Sequence, residues 1–300
     1  MRIVIALGGN ALIRRGEKPD ADTQQQRTRD VARALVPVTS AHEVVLCHGN
    51  GPQVGVLALE SVADVLLSRP FPLDTLVAET QGMIGYWLVQ ALRSEGTARP
   101  PIAVVTQTLV SGDDPAFGSP TKFIGPAYEK SEAAKISAQR GWTFGEDGKR
   151  TRRTVPSPRA NRTVELDEVI LLLEAGKTVV CGGGGGVPVT ARGRELCGIE
   201  AIVDKDDTAA NLAVDIEADL LVILTDVPAL MRGFGGPTPE PIQSISTADA
   251  EALELPHGSM GPKVRACTEF ARATGNPARI GSLDEAADVV AGSAGTTIEG

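Results

Sequence analysis

Apolar residues along this chain come in short unbroken runs, separated by longer stretches with helical spacing. Five runs are rich in branched side chains: RIVIAL (2–7), EVVLC (43–47), IAVVT (102–106), KTVVC (177–181) and LLVIL (220–224). A strand wetted on one face alternates apolar with polar. A run that does not alternate predicts a strand buried on both faces, as in a mainly parallel sheet. Helical patterns fill the intervals. TQQQRTRDVARALVPV opens at Thr23, a candidate N-cap, and ELDEVILLLEAG stops at Gly176. DTAANLAVDIEA and GPKVRACTEFARATG follow, the second with Pro262 placed for a first helical turn. TLVAETQGMIGYWLVQALR (75–93) is also helical, yet Gly82 and Gly85 lie inside it. Each costs about 1 kcal/mol against alanine, which close approach of a neighbour would justify, either the sheet or a second subunit. The alternation of strand and helix predicts a layered α/β fold.

Two segments break the rhythm. Residues 111–161 are dense in Pro, Gly and charge, with weak strand signals, and read as an excursion from the sheet in the form of a small flap. Residues 231–241, MRGFGGPTPEP, read as a second loop.

Composition narrows the function classes. The chain has 300 residues, 42% apolar and 22% charged, as soluble domains do, and its 3% aromatics leave Ala, Val and Leu to build the core. No apolar run reaches membrane-spanning length, and the N-terminal MRIVIALGGNAL has no cleavage site, so a cytoplasmic protein is expected. A formal charge of −9 argues against nucleic acid as a partner, and the basic KRTRR at 149–153 reads as a solvated loop. The cysteines (Cys47, Cys181, Cys197, Cys267) lack CxxC spacing and read as reduced packing residues. The histidines form no metal motif, and His48 reads as a turn residue bonded to backbone.

The chemistry gathers where the strands end. In open α/β sheets ligands bind beyond the carboxyl ends of the strands. Here those ends read LGGN (7–10), CHGNG (47–51), CGGGGG (181–186) and LTDV (224–227). Glycine lets backbone N–H groups approach an anion closely. No GxxxxGK[ST] and no clean GxGxxG is present, which excludes a P-loop enzyme and an obvious dinucleotide binder. Lys205 in VDKDD and Lys263 in GSMGPKV both fall at helix starts, where a cation opposes the helix dipole unless an anion joins it. Asp207 reads as an N-cap, and Asp206 as an N-cap, as a residue that orients lysines or as one that holds a metal through water.

The motifs ALGGNAL, HGNGPQVG, ETQGMIGYWL, DPAFGSPTKFIGPAY, RRTVPSPR, GGGGGVPV, IEAIVDKD, LTDV, GSMGPKV and GTTIE occur in this order over the whole chain. Together they resemble the carbamate kinases, a branch of the amino-acid kinase fold, and three of them (PTKFIGP, HGNGPQVG, GSMGPK) separate that branch from acetylglutamate, glutamate and uridylate kinases. The resemblance implies a three-layer αβα sandwich around a large mainly parallel sheet, forming a single domain with a small protruding subdomain at 111–161. It implies a lobe for carbamate or carbamoyl phosphate over 1–180 and a nucleotide lobe over 181–300, with the five glycines near the boundary between them. It also implies ATP or ADP with Mg²⁺ carried by the nucleotide, and a homodimer.

Residue by residue, Lys122, Lys205 and Lys263 resemble the lysines that neutralise the transferred phosphoryl group, and Asp206 the residue that positions them. Gly8, Gly9, Asn10, Gly49, Asn50, Gly51, Gly183 and Gly184 resemble the substrate and phosphate cradle. Thr225, Asp226, Met231, Met260 and Gly261 resemble the nucleotide contacts. Phe123, Ala127, Leu230–Met231 and His257 depart from the pattern of the resemblance, and none of these departures removes a lysine. The competing readings are another acyl-phosphate-forming kinase of the same fold and a non-catalytic nucleotide sensor.

Overall fold

The structure is a computed structural model that describes residues 1–14, 16–233, 239–253 and 260–300. His257, and Gly258 and Ser259 of the GSMGPKV motif, lie outside the described residues. In chain order the elements are β1 (Arg2–Leu7), α1 (Ala21–Ala41), β2 (Glu43–His48), α2 (Gly51–Ala63), α3 (Leu73–Ser94), β3 (Pro101–Ala103) and β4 (Gln107–Leu109). The excursion supplies β5 (Lys122–Tyr128), α4 (Lys130–Arg140), β6 (Thr143–Asp147) and β7 (Arg150–Val155). Then come β8 (Arg162–Thr163), α5 (Leu166–Glu174), β9 (Thr178–Val180), β10 (Val187–Arg192), β11 (Glu195–Gly198), α6 (Lys205–Asp215) and β12 (Leu220–Thr225). The chain continues with β13 (Met231–Arg232), β14 (Glu240–Pro241), β15 (Ser244–Ser246), α7 (Thr247–Glu251), α8 (Met260–Thr274), β16 (Ala278–Ser282), α9 (Ala286–Ala291) and β17 (Thr296–Glu299).

The main sheet has eight strands in the order β15-β17-β16-β12-β1-β2-β9-β3, parallel throughout except at the β16–β17 pair. The unbroken apolar runs are explained by its two buried faces. Along β1, Val4 and Ala6 enter a core shared with α5, α6 and α8, while Ile3, Ile5 and Leu7 enter a second core shared with α1, α3 and α9. Strand β12 divides the same way, Leu221 and Ile223 against Leu220, Val222 and Leu224. Helices therefore cover both faces, giving the αβα sandwich. The sheet draws strands from both sides of residue 180. Among the described residues no helix is long and apolar enough to cross a membrane.

Several expectations need correction. The run 102–106 is not one strand: β3 ends at Ala103, and the chain leaves the main sheet to pair as β4 in a four-stranded sheet, β11-β10-β4-β8. The turn is fixed by Gln81, whose Oε1 accepts from the Thr106 amide at 3.1 Å. Helix α1 starts two residues before Thr23, with Asp20 at the cap position. The segment 111–161 is an excursion, but not a strand-poor one: it folds into an antiparallel sheet, β5-β7-β6, carrying α4. KRTRR is no solvated loop, since it forms most of β7, with Thr151 and Arg153 buried and the Arg153 guanidinium 3.8 Å from the centre of the Trp142 ring. Residues 231 and 232 pair with 240 and 241, so the expected loop there is closed by a two-stranded ribbon, while 234–238 lie outside the described residues.

Of the two glycines inside α3, Gly85 is explained by the sheet, because a Cβ there would lie 2.8 Å from the Ala103 Cβ. Gly82 is exposed, and among the described residues outside its own helical turn nothing lies within 4 Å of that position.

Candidate active site

Parallel register brings the carboxyl ends of β1, β2, β9 and β12 to one edge, where each continues into its glycine-rich or Thr-Asp turn. After β1 the chain makes a 3₁₀ turn over Gly9–Ala11, and the Gly8 amide donates to the Leu224 carbonyl at 2.8 Å. After β2 it passes through Gly49 and Asn50 into α2, whose first turn holds Gly51 and Pro52. After β9 the glycine run forms a 3₁₀ turn over Gly183–Gly185. Gly184 has φ +64°, and a Cβ on it would lie 2.1 Å from Asn50 Nδ2. Gly185 has φ +89°, and a Cβ on it would lie 2.3 Å from the Val203 carbonyl oxygen. The run is thus a tightly packed floor rather than a linker.

Above this floor is a cavity of about 220 Å³ lined by Gly9, Gly49, Asn50, Gly51, Gly184 and the three lysines Lys122, Lys205 and Lys263. Lys205 and Asp206 open α6, Lys263 sits in the first turn of α8, and Lys122 opens β5 of the excursion. Asp206 is 2% exposed and holds two lysines: Lys205 Nζ is 2.5 Å from its Oδ1 and Lys263 Nζ 3.0 Å from its Oδ2. Lys122 is held by a residue that the sequence reading missed, its Nζ lying 2.5 Å from Asp204 Oδ2. Asp204 is also the N-cap of α6, its Oδ1 accepting from the Asp206 amide at 3.0 Å. This corrects the assignment of Asp207, which lies inside the first turn, buried, with hydrogen bonds from Arg159 and Arg265. The signal for Asp204 was present in VDKDD, an acid directly before a helix start.

Three ammonium groups meet two carboxylates here, an excess of one positive charge. Burial works to raise the pKa of Asp206, but the charges of Lys205 and Lys263 outweigh it and hold the carboxyl below its ordinary value. Asp204 is shifted the same way by Lys122 and Lys205 against burial. Burial pushes Lys205 down, and the neighbouring Lys263 adds to that. Lys263 is raised, since the charge of Asp206 and its hydrogen bond exceed the burial cost. His48, at the end of β2, is sealed by the glycine floor and lowered to about 4 by burial. Its Nδ1 donates to the Gly49 carbonyl at 3.0 Å, the backbone-bonded turn role expected of it. Such a cavity suits the neutralisation of a dense anion.

A sequence profile described as the amino acid kinase family matches residues 1–282. A carbamate kinase of Rhizobium meliloti is 46% identical, over 99% of this chain and 93% of its own, and one of Haemophilus influenzae is 45% identical over 99% and 96%. The chain belongs to the carbamate kinases of the amino acid kinase family. A solved carbamate kinase from Giardia lamblia bound to AMP-PNP superposes with a TM-score of 0.90 at 38% identity, covering 99% of this chain and 98% of that one.

In this member of the family the expected site residues are spread over two openings and the structure around them. The lysines, Asp206, Gly9, Gly49, Asn50, Gly51 and Gly184 line one cavity. Gly183 lies beneath it against His48 and Gln81, and Gly8 packs against the start of the Thr225 turn. Thr225 and Asp226 line a separate crevice of about 280 Å³ with Ala11, Arg14, Arg27 and Ser282. The Gly9–Ala11 turn, which includes the Asn10 backbone, divides the two openings, with Gly9 on one and Ala11 on the other. Met260 starts α8 next to Gly261 and packs on the core, while Met231 lies on the β13–β14 ribbon.

Proposed function

We propose that the lysine cavity transfers a phosphoryl group between ATP and carbamate, forming ADP and carbamoyl phosphate reversibly. The observation that carries this is the buried Asp206 carboxylate holding Lys205 and Lys263 together, beside Lys122 on Asp204. Carbamate is already an anion, so its oxygen attacks phosphorus in line without a general base. Lys122, Lys205 and Lys263 offset the charge spread over the equatorial oxygens, and Asp206 fixes the lysines so that little reorganisation accompanies transfer. Gly8, Gly9, Asn10, Gly49, Asn50, Gly51, Gly183 and Gly184 form the cradle for carbamate and phosphate. Thr225, Asp226, Met231, Met260 and Gly261 hold the nucleotide. The region 1–180 acts as the substrate lobe, with 111–161 as a flap, and 181–300 as the nucleotide lobe.

Mg²⁺ arrives with the nucleotide. Both oxygens of Asp206 and both of Asp204 are already engaged. No cluster of metal-ligating side chains occurs among the described residues. A hard ion held mainly by phosphate and water suits that arrangement, and it would supply further neutralisation of the phosphate charge.

The functional unit is a homodimer. Strand β3 is an edge of the main sheet, and beside it Tyr86, Ile102 and Val105 are large apolar residues left exposed. A reducing cytoplasm suits the four free cysteines.

The decisive assay mixes the protein with carbamoyl phosphate and ADP and reads ATP, with and without Mg²⁺. Magnesium-dependent ATP formation is the expected result. Coupled ADP release with carbamate but not with N-acetylglutamate separates this reading from a related acyl-phosphate kinase. No turnover with either, alongside nucleotide binding, would establish the sensor reading instead.

A further inference from the structure

The lysine cavity is rich in donors, and one acceptor in it is held in a fixed orientation. Asn50 is 3% exposed and lines the cavity, with its amide group against the Cα side of Gly184. Its Nδ2 donates to Thr80 Oγ1 at 2.9 Å. Thr80 lies in α3, is fully buried, and donates its own hydroxyl hydrogen to the Val77 carbonyl at 2.8 Å. With that hydrogen committed, the Thr80 oxygen can only accept. To turn its oxygen toward Thr80, the Asn50 amide would have to set two acceptors face to face or draw the Thr80 hydroxyl off the Val77 carbonyl. Asn50 Oδ1 is left pointing the other way, with no hydrogen-bond partner among the described residues, and it is not among the sealed atoms.

We infer that Thr80 is a positioning residue for specificity: by fixing the Asn50 amide it presents Oδ1 as the acceptor for the amino group of the carbamoyl moiety. This rests on the carbamate reading above and deepens it. Every charged group lining this cavity is a lysine ammonium or a carboxylate already held by one. Lysines recognise the phosphate and the carboxylate oxygens, which acetate, carbonate and carbamate have in common. Only carbamate brings an N–H₂ group, and an acceptor is what distinguishes it from a methyl group of the same size. A site that leaves a buried acceptor unpaired with the wrong substrate disfavours that substrate.

The test compares carbamoyl phosphate with acetyl phosphate as donors to ADP, reading ATP as kcat/KM for each. Thr80→Val removes the acceptor for Asn50 Nδ2 and frees the amide to rotate. The ratio of the two kcat/KM values is expected to fall about tenfold, from loss of one neutral hydrogen bond, mostly through KM for carbamoyl phosphate. Thr80→Ser keeps the hydroxyl and is expected to keep the wild-type ratio. Thr80→Ala serves if the valine variant does not fold, and thermal unfolding of each variant reports that separately. An unchanged ratio in folded Thr80→Val or Thr80→Ala overturns the inference, as does an equal loss in Thr80→Ser. A wild-type protein that makes ATP from neither donor overturns the kinase reading itself, and this inference with it. A wild-type protein that turns over carbamoyl phosphate alongside an unaltered ratio in the variants overturns only the role of Thr80.

Discussion

Lys263 Nζ lies 3.0 Å from Asp206 Oδ2, on the carboxylate whose other oxygen holds Lys205 at 2.5 Å, so two helix starts are joined through one buried acid. Each lysine lies in the first turn of its helix, against the dipole, an arrangement that an anionic ligand relieves. Lys205→Ala and Lys263→Ala are each expected to lower kcat by about 10²–10³, the scale for loss of one preorganised charge at a transferring group. Circular dichroism should remain that of the folded protein. Near-normal turnover in either variant would remove the role assigned to that lysine.

The same triad predicts an asymmetry in stability. Removing one lysine leaves Asp206 still paired with the other. Removing Asp206 leaves two buried ammonium groups facing each other without their shared counter-charge. Asp206→Ala is therefore expected to cost about 3–5 kcal/mol, the scale for an uncompensated buried charge, and clearly more than Lys263→Ala. Urea unfolding gives both numbers. Added inorganic phosphate should recover part of the loss in Asp206→Ala, since it supplies the missing anion. Equal costs for the two variants would contradict the geometry.

His48 supplies a pH signature. Its folded pKa is about 4, against an ordinary value of 6.5, because burial disfavours the imidazolium. Between those values the unfolded chain binds more protons than the folded one, so stability rises with pH through that window. The contribution is fully present above 6.5 and is lost as pH falls toward 4, amounting to about 3 kcal/mol. His48→Gln, which keeps a donor for the Gly49 carbonyl, should flatten that part of the profile. Unfolding midpoints at pH 4, 5, 6 and 7 test this, and a wild-type slope retained in the variant would assign it to other groups.

How far the sequence disclosed these features depended on what kind of contact carried them. Strands β1, β2 and β12 were legible because both faces are buried and the apolar run is unbroken. Strands β16 and β17 were missed: ARIGS and TTIE are short and mix polar with apolar residues, and β15 and β17 lie at or beside the sheet edge. Lys205, Lys263 and Asp206 were legible from their place at helix starts. The capping position of Asp204 could be read from VDKDD, but its grip on Lys122 could not, since that contact joins residues 82 apart through a packing of excursion on core that no local pattern encodes. KRTRR was misread because its charge was visible but the Trp142 ring beneath Arg153 was not.

Gly82 carries the prediction for assembly. Gly85 has its reason in Ala103, but Gly82 faces outward on the same helix as exposed Tyr86, and a Cβ there would meet none of the described residues outside its own helical turn. In a monomer, Gly82→Ala would stabilise an exposed helix interior by about 1 kcal/mol. In the proposed dimer, a bulky residue there disrupts the approach of the partner. Gly82→Phe is expected to convert a dimer to a monomer by light scattering, without loss of secondary structure. A wild-type monomer, or a Gly82→Phe dimer of unchanged affinity, would remove this helix from the interface.

The glycines at the strand ends divide into two kinds, and paired alanine substitutions separate them. At Gly184 the space a Cβ would take is filled by protein: Asn50 Nδ2 lies 2.1 Å away, and φ is +64°. At Gly9 no atom of the described residues beyond its chain neighbours lies within 4 Å of that position, yet the residue lines the lysine cavity. Gly184→Ala must displace the Asn50 side chain and adopt a strained backbone, so stability should fall by about 1–3 kcal/mol together with turnover. Gly9→Ala would fill only open space beside the proposed substrate site. It should unfold at the wild-type temperature while KM for carbamoyl phosphate rises at least tenfold. Melting curves and initial rates on the two variants decide the matter. If Gly9→Ala keeps a normal KM, the glycine there does not serve close approach to the substrate. If Gly184→Ala melts normally, the glycine floor is looser than its packing against Asn50 implies.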